Sequence, residues 1–345
     1  MSFRSWVTAV TFILLALVVY FGWNDIMGVW MLLGRVNVWL LLALVPIQLF
    51  SYYATGNIIF SYLRAKGNLQ ETSHWVTTRM ALELNFVNHI LPSGGAAGFS
   101  YLGWVLHKHG VGAGRATMAQ IVRFSMTFIS FLAIMAIAVV SLILDHQIDR
   151  IVILVSASLA SVATLGALLL IYIIGNRGRL TRFSNWLART ANRAIFTFSR
   201  GKSKRIVKRE LVENFFDDLH QDYLEIKSEK NILTKPFMWS VLQNIADVIL
   251  LMIAFMALGA WVNPAILFIA FGASAIASIT SVMPAGAGVY EAIMIGFLAS
   301  AGVPADVAIA GTLLARVTLV LGTILFGYLF YQLTILKYGK RPTDS

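Results

Sequence analysis

The chain has 345 residues, 58% of them hydrophobic and only 12% charged, where an ordinary globular protein carries about 25% charged residues; a soluble fold is excluded. The formal charge of +11 does not point to nucleic acid, because the Lys and Arg residues cluster beside apolar runs, the pattern of cytoplasmic loops facing anionic lipid headgroups. Cysteine is absent, which excludes disulfides, thiolate metal sites and cysteine nucleophiles.

Residues 5–23 follow Arg4 and lack a small-residue cleavage site, so they are expected to be an uncleaved first span. Residues 36–63 form a second span, and Arg64 and Lys66 mark its end as cytoplasmic. Residues 70–91 are too polar to face lipid throughout, with Glu83, Asn85 and Asn88 deep in the segment. They run into Leu91-Pro92-Ser93-Gly94-Gly95-Ala96-Ala97-Gly98, which cannot be ordinary helix: proline lacks a backbone donor, and the glycines favour other backbone conformations. Residues 99–107 then return to the basic stretch His107, Lys108, His109 and Arg115. Basic residues at both ends predict a re-entrant hairpin over 70–107. Residues 115–144 form the next span and 151–175 the one after, joined by an acidic turn.

The segment 176–235 is strongly charged and reads as a cytoplasmic amphipathic insertion, with Leu180, Phe183, Trp186 and Leu187 on one face. Residues 236–260 form a further span. Residues 264–282 dip in from the other side, break at Met283-Pro284-Ala285-Gly286-Ala287-Gly288, and return through 289–301. Residues 305–336 cross once more before a basic tail, 337–345.

The two breaks belong to an internal repeat. Pro92 and Pro284 are each followed 18 residues later by a Gly-Val turn, at Gly110-Val111 and Gly302-Val303. Each turn leads into an apolar helix with one arginine, Arg123 or Arg316, 31 and 32 residues after its proline. The fold class expected is therefore an all-α integral membrane protein. It has six full transmembrane helices and two re-entrant broken-helix hairpins, arranged as an inverted-topology repeat of residues 1–145 and 151–336. Broken backbone at membrane depth is tolerated where it is buried in protein or lines a wet cavity, and in inverted repeats such breaks mark the working site.

Five ionisable residues lie in apolar surroundings: Glu83, Arg123, Asp247, Glu291 and Arg316. A lone charge at the bilayer centre costs roughly 2.5–3.5 kcal/mol on insertion scales, so these residues should find partners or water. Asp247 or Glu291 is expected to pair with Arg316, and Glu83 with Arg123. Such pairs are either internal glue or, with the exposed backbone donors of the breaks, an anion site, since helix N-termini attract phosphate and arginine grips it bidentately. The candidate substrate-binding set is Glu83, Asn88, Pro92, Ser93, Gly94, Gly95, Gly98 and Arg123 in the first half, and Asp247, Pro284, Gly286, Gly288, Tyr290, Glu291 and Arg316 in the second. No catalytic constellation, cofactor or metal is expected. Ser93 has no nearby base, and the acidic run Asp217-Asp218-Leu219-His220-Gln221-Asp222 stands alone on a solvated face. His89 beside the first break is expected to be structural.

Around these breaks the sequence resembles the flippase-like transmembrane region of the bacterial lysylphosphatidylglycerol synthetase/flippase (MprF) and its stand-alone relatives. The resemblance rests on Asn88-His89-Ile90-Leu91-Pro92-Ser93-Gly94-Gly95 with Gly98, Gly110-Val111 and Arg123, and on Pro284 to Ala292, Gly302-Val303-Pro304 and Arg316. It implies an inner-membrane protein that moves lipids with polar heads, with membrane lipids as partners: an anionic phospholipid or a polyprenyl-linked glycolipid. A homo-oligomer is not excluded. The chain ends at Ser345, without the aminoacyl-transferase domain of the full-length enzyme, so synthesis of lysylphosphatidylglycerol is not expected. Charged residues that relatives carry after the first break are replaced here by Ala96, Ala97 and Phe99, so the lipid handled can differ. An ion-coupled small-solute transporter, and an enzyme or accessory subunit of an envelope-lipid pathway, remain the alternatives.

Overall fold

The computed structural model describes residues 36–90, 96–144, 150–176, 178–179, 182, 186, 224, 228–279 and 288–338. The expected first span, the tips of both breaks and most of the charged insertion lie outside the described residues. Among those described, the elements are α1 (Val38–Ala65), α2 (His74–Ile90), α3 (Ala96–Lys108), α4 (Ala113–Leu144), α5 (Arg150–Ile174), a 3₁₀ turn (Lys230–Leu233), α6 (Thr234–Ala257), α7 (Pro264–Ile279), α8 (Val289–Ser300) and α9 (Ala305–Tyr338). No strand occurs among them. The helices α1, α4, α6 (extended to Asn231) and α9 are long and apolar enough to cross a membrane, and the chain is an integral membrane protein. On α9 the residues Leu321, Leu325, Leu329, Leu333 and Leu336 form an exposed apolar stripe at helical spacing. Such a stripe is a liability in water and the natural lipid-facing surface in a bilayer.

Helix ends are set by local chemistry. Asn37 caps α1, its side-chain oxygen accepting the Trp39 and Leu40 N–H groups at 3.0 and 3.4 Å. The turn after α3 closes with Gly110 at φ 79°, and Val111 N–H donates to Leu106 O at 3.0 Å. The turn after α8 repeats this geometry: Gly302 has φ 87°, and Val303 N–H donates to Leu298 O at 3.0 Å. Both are left-handed glycine C-caps. Gly67 after α1 and Gly259 after α6 make a second such pair, at φ 78° and 75°.

Gly67 and Gly259, Pro92 and Pro284, and Gly110 and Gly302 are all 192 residues apart. At the same offset the end of α1, Ala65, falls on the end of α6, Ala257, and the start of α4, Ala113, on the start of α9, Ala305. The helix pairings obey the same exchange. Contact between α2 and α9 is mirrored by α7 and α4, α3 with α4 by α8 with α9, and α1 with α4 by α6 with α9. The counterparts α1 and α6 pack on each other along their length. They run antiparallel, because Asn37 N–H donates to Ala257 O at 2.9 Å while Arg64 and Lys235 line one cavity at the other end.

Small residues allow this packing. A side-chain carbon at Gly311 of α9 would collide with the Phe255 ring of α6, and one at Gly327 with Phe86 of α2. Membrane helices have no hydrophobic drive to associate, so such close backbone approach supplies the van der Waals attraction. Gly98 shows the same principle and corrects an expectation. It is not part of the first break but lies inside α3, where a Cβ would collide with the Asn88 amide of α2. Gly311→Val is expected to cost about 1–3 kcal/mol by overpacking and lower the thermal unfolding midpoint in detergent. Gly296→Ala, with open space around it, should leave the midpoint unchanged.

Candidate functional site

A cavity of about 220 Å³ lies between the two halves. Its wall includes Ser51 and Thr55 of α1, Gln243 and Asp247 of α6, His89 of α2, and Tyr290 and Arg316 of the second half. At the 192-residue offset Ser51 corresponds to Gln243 and Thr55 to Asp247, so the cavity straddles the line that relates the halves. His89 stands just before the first break and Tyr290 just after the second. The edges of both breaks therefore meet at one polar space, although Pro92, Ser93, Gly94, Gly95, Pro284 and Gly286 lie outside the described residues.

Polar contacts knit this centre. Ser51 Oγ donates to Asp247 Oδ1 at 2.6 Å, across from α1 to α6. Gln48 Nε2 donates to Leu319 O of α9 at 2.7 Å, and the Tyr52 hydroxyl hydrogen-bonds Thr323. The second half answers with Asn244, whose Nδ2 donates to Ser130 Oγ of α4 at 2.7 Å and to Thr127 O at 3.3 Å. Leu319 and Thr127 are again 192 residues apart.

Arg316 is held from two sides. Its Nε lies 2.9 Å from Glu291 Oε1, as expected, and its guanidinium sits 4.6 Å over the Tyr290 ring. Glu291 also accepts the Gly288 N–H at 2.6 Å through Oε2, so one carboxylate caps α8 and neutralises the arginine. Gly288 at φ 84° can present that N–H because it has no side chain to strain the left-handed backbone.

The first half is built differently. Glu83 does not pair with Arg123. It is fully buried and accepts from Thr334 Oγ1 of α9 at 2.6 Å and from Tyr101 OH of α3 at 2.8 Å, with Arg79 Nε 3.2 Å away. The reason is spacing: Arg79 and Glu83 are four apart on one helix face, where side chains meet without tertiary help. Glu83 thus ties α2, α3 and α9 together and stands apart from the central cavity. Arg123 has its Nε buried with no acceptor, and its guanidinium stacks 4.4 Å over the Phe124 ring. The buried Asn88 Oδ1 is likewise without a donor.

Arg123 and Arg316 are also not strict counterparts. At the 192-residue offset Arg123 matches Ala315, and Arg316 matches Phe124. A one-residue slip turns a side chain by about 100° around a helix of 3.6 residues per turn. The position matching Glu291 is Phe99, so the acid that pairs with Arg316 has no counterpart in the first half.

Sequence reasoning overlooked the α1 wall. Gln48, Ser51, Tyr52 and Thr55 form a polar stripe at i, i+3, i+4 and i+7 within an apolar span, a pattern that marks an interior face. His89, set aside as structural, lines the cavity while its Nδ1 bonds Asn85 O at 2.8 Å.

Removing one member of a buried ion pair costs about 3–5 kcal/mol. Glu291→Ala is therefore expected to lower stability strongly, and Glu291→Ala/Arg316→Ala to recover part of the loss. A double-mutant cycle on thermal unfolding checks this; strictly additive losses would mean the two are uncoupled.

The family model described as "Lysylphosphatidylglycerol synthase TM region" matches residues 6–327. No curated protein and no solved structure matches the chain. With nearly all of its length covered by that match, the chain belongs to the lysylphosphatidylglycerol synthase transmembrane-region family.

Proposed function

We propose that the protein is a lipid translocase of the bacterial cytoplasmic membrane, without an enzymatic step of its own, moving a lipid or glycolipid with a phosphate-bearing headgroup. The observation that carries this reading is the polar cavity between the halves, bordered by the edges of both breaks. A space of about 220 Å³ admits a headgroup and leaves no room for acyl chains, which would stay in the surrounding lipid. Family membership supports a role in lipid handling.

The antiparallel run of the counterparts α1 and α6 supports the inverted-topology repeat, since equivalent helices of a parallel repeat would point the same way. In this reading each hairpin, α2/α3 and α7/α8, enters from its own side and the breaks line the path near the midplane. Both termini are then cytoplasmic. The two arginines divide the work. Arg316, neutralised by Glu291, shapes the cavity wall. Arg123, which has no acid partner among the described residues, is the stronger anion acceptor, and a phosphate would relieve the cost of its desolvated charge.

Topology is testable because the native chain has no cysteine. Gly112→Cys and Pro304→Cys sit at equivalent positions of the two turns. Labelling of intact cells with an impermeant thiol reagent is expected to reach the second and not the first. Labelling of both from one side rejects the inverted repeat.

Transport is tested with the full chain in vesicles, following a headgroup-labelled phospholipid by its accessibility to an impermeant quencher. Arg123→Ala and Asp247→Asn are expected to slow translocation about tenfold or more, with the unfolding midpoint retained. Removing a charge-assisted hydrogen bond costs about 1.5–3 kcal/mol, and 1.4 kcal/mol is a factor of ten. Arg316→Lys should slow it too, since charge survives but the planar fork does not. Wild-type rates in Asp247→Asn and Arg316→Lys would remove the cavity from the path, and a wild-type rate in Arg123→Ala would remove that arginine from it. Uptake of a water-soluble solute without lipid movement would overturn the translocase reading.

A further inference from the structure

A second cavity, of about 910 Å³, lies outside the central site, between the C-terminal end of α1 and the N-terminal end of α6. Its lining is graded along both helices. Arg64, His74 and Lys235 stand at the helix ends, while Tyr53, Trp239 and Met238 lie further in. Eleven residues separate Arg64 from Tyr53, about 16 Å at 1.5 Å per residue. None of the lining residues is acidic. Met238 is 59% exposed, so the apolar part opens toward surrounding lipid. The Tyr53 and Trp239 rings meet edge to face, 5.4 Å between centroids, and brace the two helices.

The cationic rim is built. Arg64 Nη2 donates to Thr72 O at 3.0 Å, Nη1 lies 3.2 Å from His74 Nδ1, and Gln70 Nε2 donates to Arg64 O at 2.6 Å. The Thr72 and His74 contacts hold the guanidinium and engage two of its five N–H donors, while Gln70 anchors the backbone beneath it. Lys235 is exposed, on the facing side of the mouth.

We propose that this groove is a docking site for one anionic phospholipid of the adjacent leaflet. Its phosphate would lie between Arg64 and Lys235 and its acyl chains along Tyr53, Trp239 and Met238. Charge at the mouth and apolar surface within match the two ends of such a lipid, and basic pockets between membrane helices hold anionic headgroups. Two walls from the counterpart helices α1 and α6 make the lipid a clamp across the two halves. The site does not depend on the translocase reading, because it needs binding and no movement.

The test is native mass spectrometry of the detergent-purified full chain titrated with phosphatidylglycerol, phosphatidylcholine or inorganic phosphate. One tightly retained phosphatidylglycerol per chain is expected, with phosphatidylcholine retained far less. Arg64→Gln/Lys235→Gln should weaken retention roughly thirtyfold, two basic contacts' worth. Lys235→Gln alone, at an exposed position that cannot compromise folding, should weaken it about fivefold. Lys337→Gln, at the end of α9, should have no effect. Retention unchanged in Lys235→Gln, an equal loss in Lys337→Gln, or equal affinity for phosphatidylcholine overturns the proposal. Inorganic phosphate that displaces the lipid at equimolar concentration does so as well, since the acyl chains would then contribute nothing.

Discussion

Every polar group inside a membrane bundle has to be satisfied by the protein, because lipid offers it nothing. That constraint organises the centre of this structure. Gln48, Ser51, Tyr52 and Thr55 cannot face lipid, so α1 turns them inward, and α6 meets them with Gln243, Asn244 and Asp247. Each helix then reaches one partner helix of the opposite half through the same backbone level: Gln48 to Leu319 O on α9, and Asn244 to Thr127 O on α4. The contacts that satisfy individual side chains are therefore also the contacts that fix the relation of the two halves. Only the acceptor carbonyls match: at the 192-residue offset Gln48 corresponds to Ser240, and Asn244 to Tyr52. Tyr52 bonds a threonine hydroxyl where Asn244 bonds a serine hydroxyl.

Departures from this matching fall where charge is concentrated. Glu291 has Phe99 as its counterpart, and the arginines slip by one residue. One half consequently carries a neutralised arginine against the central cavity, and the other an arginine with no acid partner among the described residues. Had both halves carried Glu291-like acids, both arginines would be internal glue. The asymmetry gives the two halves different electrostatic characters. Glu83 belongs to neither set. Its three partners come from α2, α3 and α9, and it holds the first hairpin against a helix of the second half.

Helix positions were legible in the sequence because apolar runs and their breakers are unambiguous. The span expected at 305–336 is α9, Ala305–Tyr338, and the segments expected at 99–107 and 289–301 are α3 and α8. The partner of Arg316 was legible only to within two acids, Asp247 and Glu291, and the structure pairs it with Glu291. Glu83 was misjudged because a long-range pair with Arg123 was preferred to Arg79, only one turn away. The arginines looked equivalent when counted from the prolines. Only the common offset of the helix ends and glycine turns shows that they face different ways. The polar stripe of α1 was hidden by the length of its span: over twenty-eight residues the segment stays apolar on average.

Length also explains why α1 and α6 can serve two sites at once. Ser51 lies 13 residues before Arg64, about 20 Å along the axis, so the central cavity and the cationic mouth of the groove occupy different depths of one helix pair, while the groove's inner end at Tyr53 and Leu242 reaches the level of the cavity. Asp247 and Lys235 are 12 residues apart on the antiparallel partner, about 18 Å. The two helices thus change character in step: polar and enclosed at mid-depth, aromatic above, cationic at the end. Because α1 and α6 pack along their length, the Ser51–Asp247 contact and the cationic mouth are both built from one pair of counterpart helices.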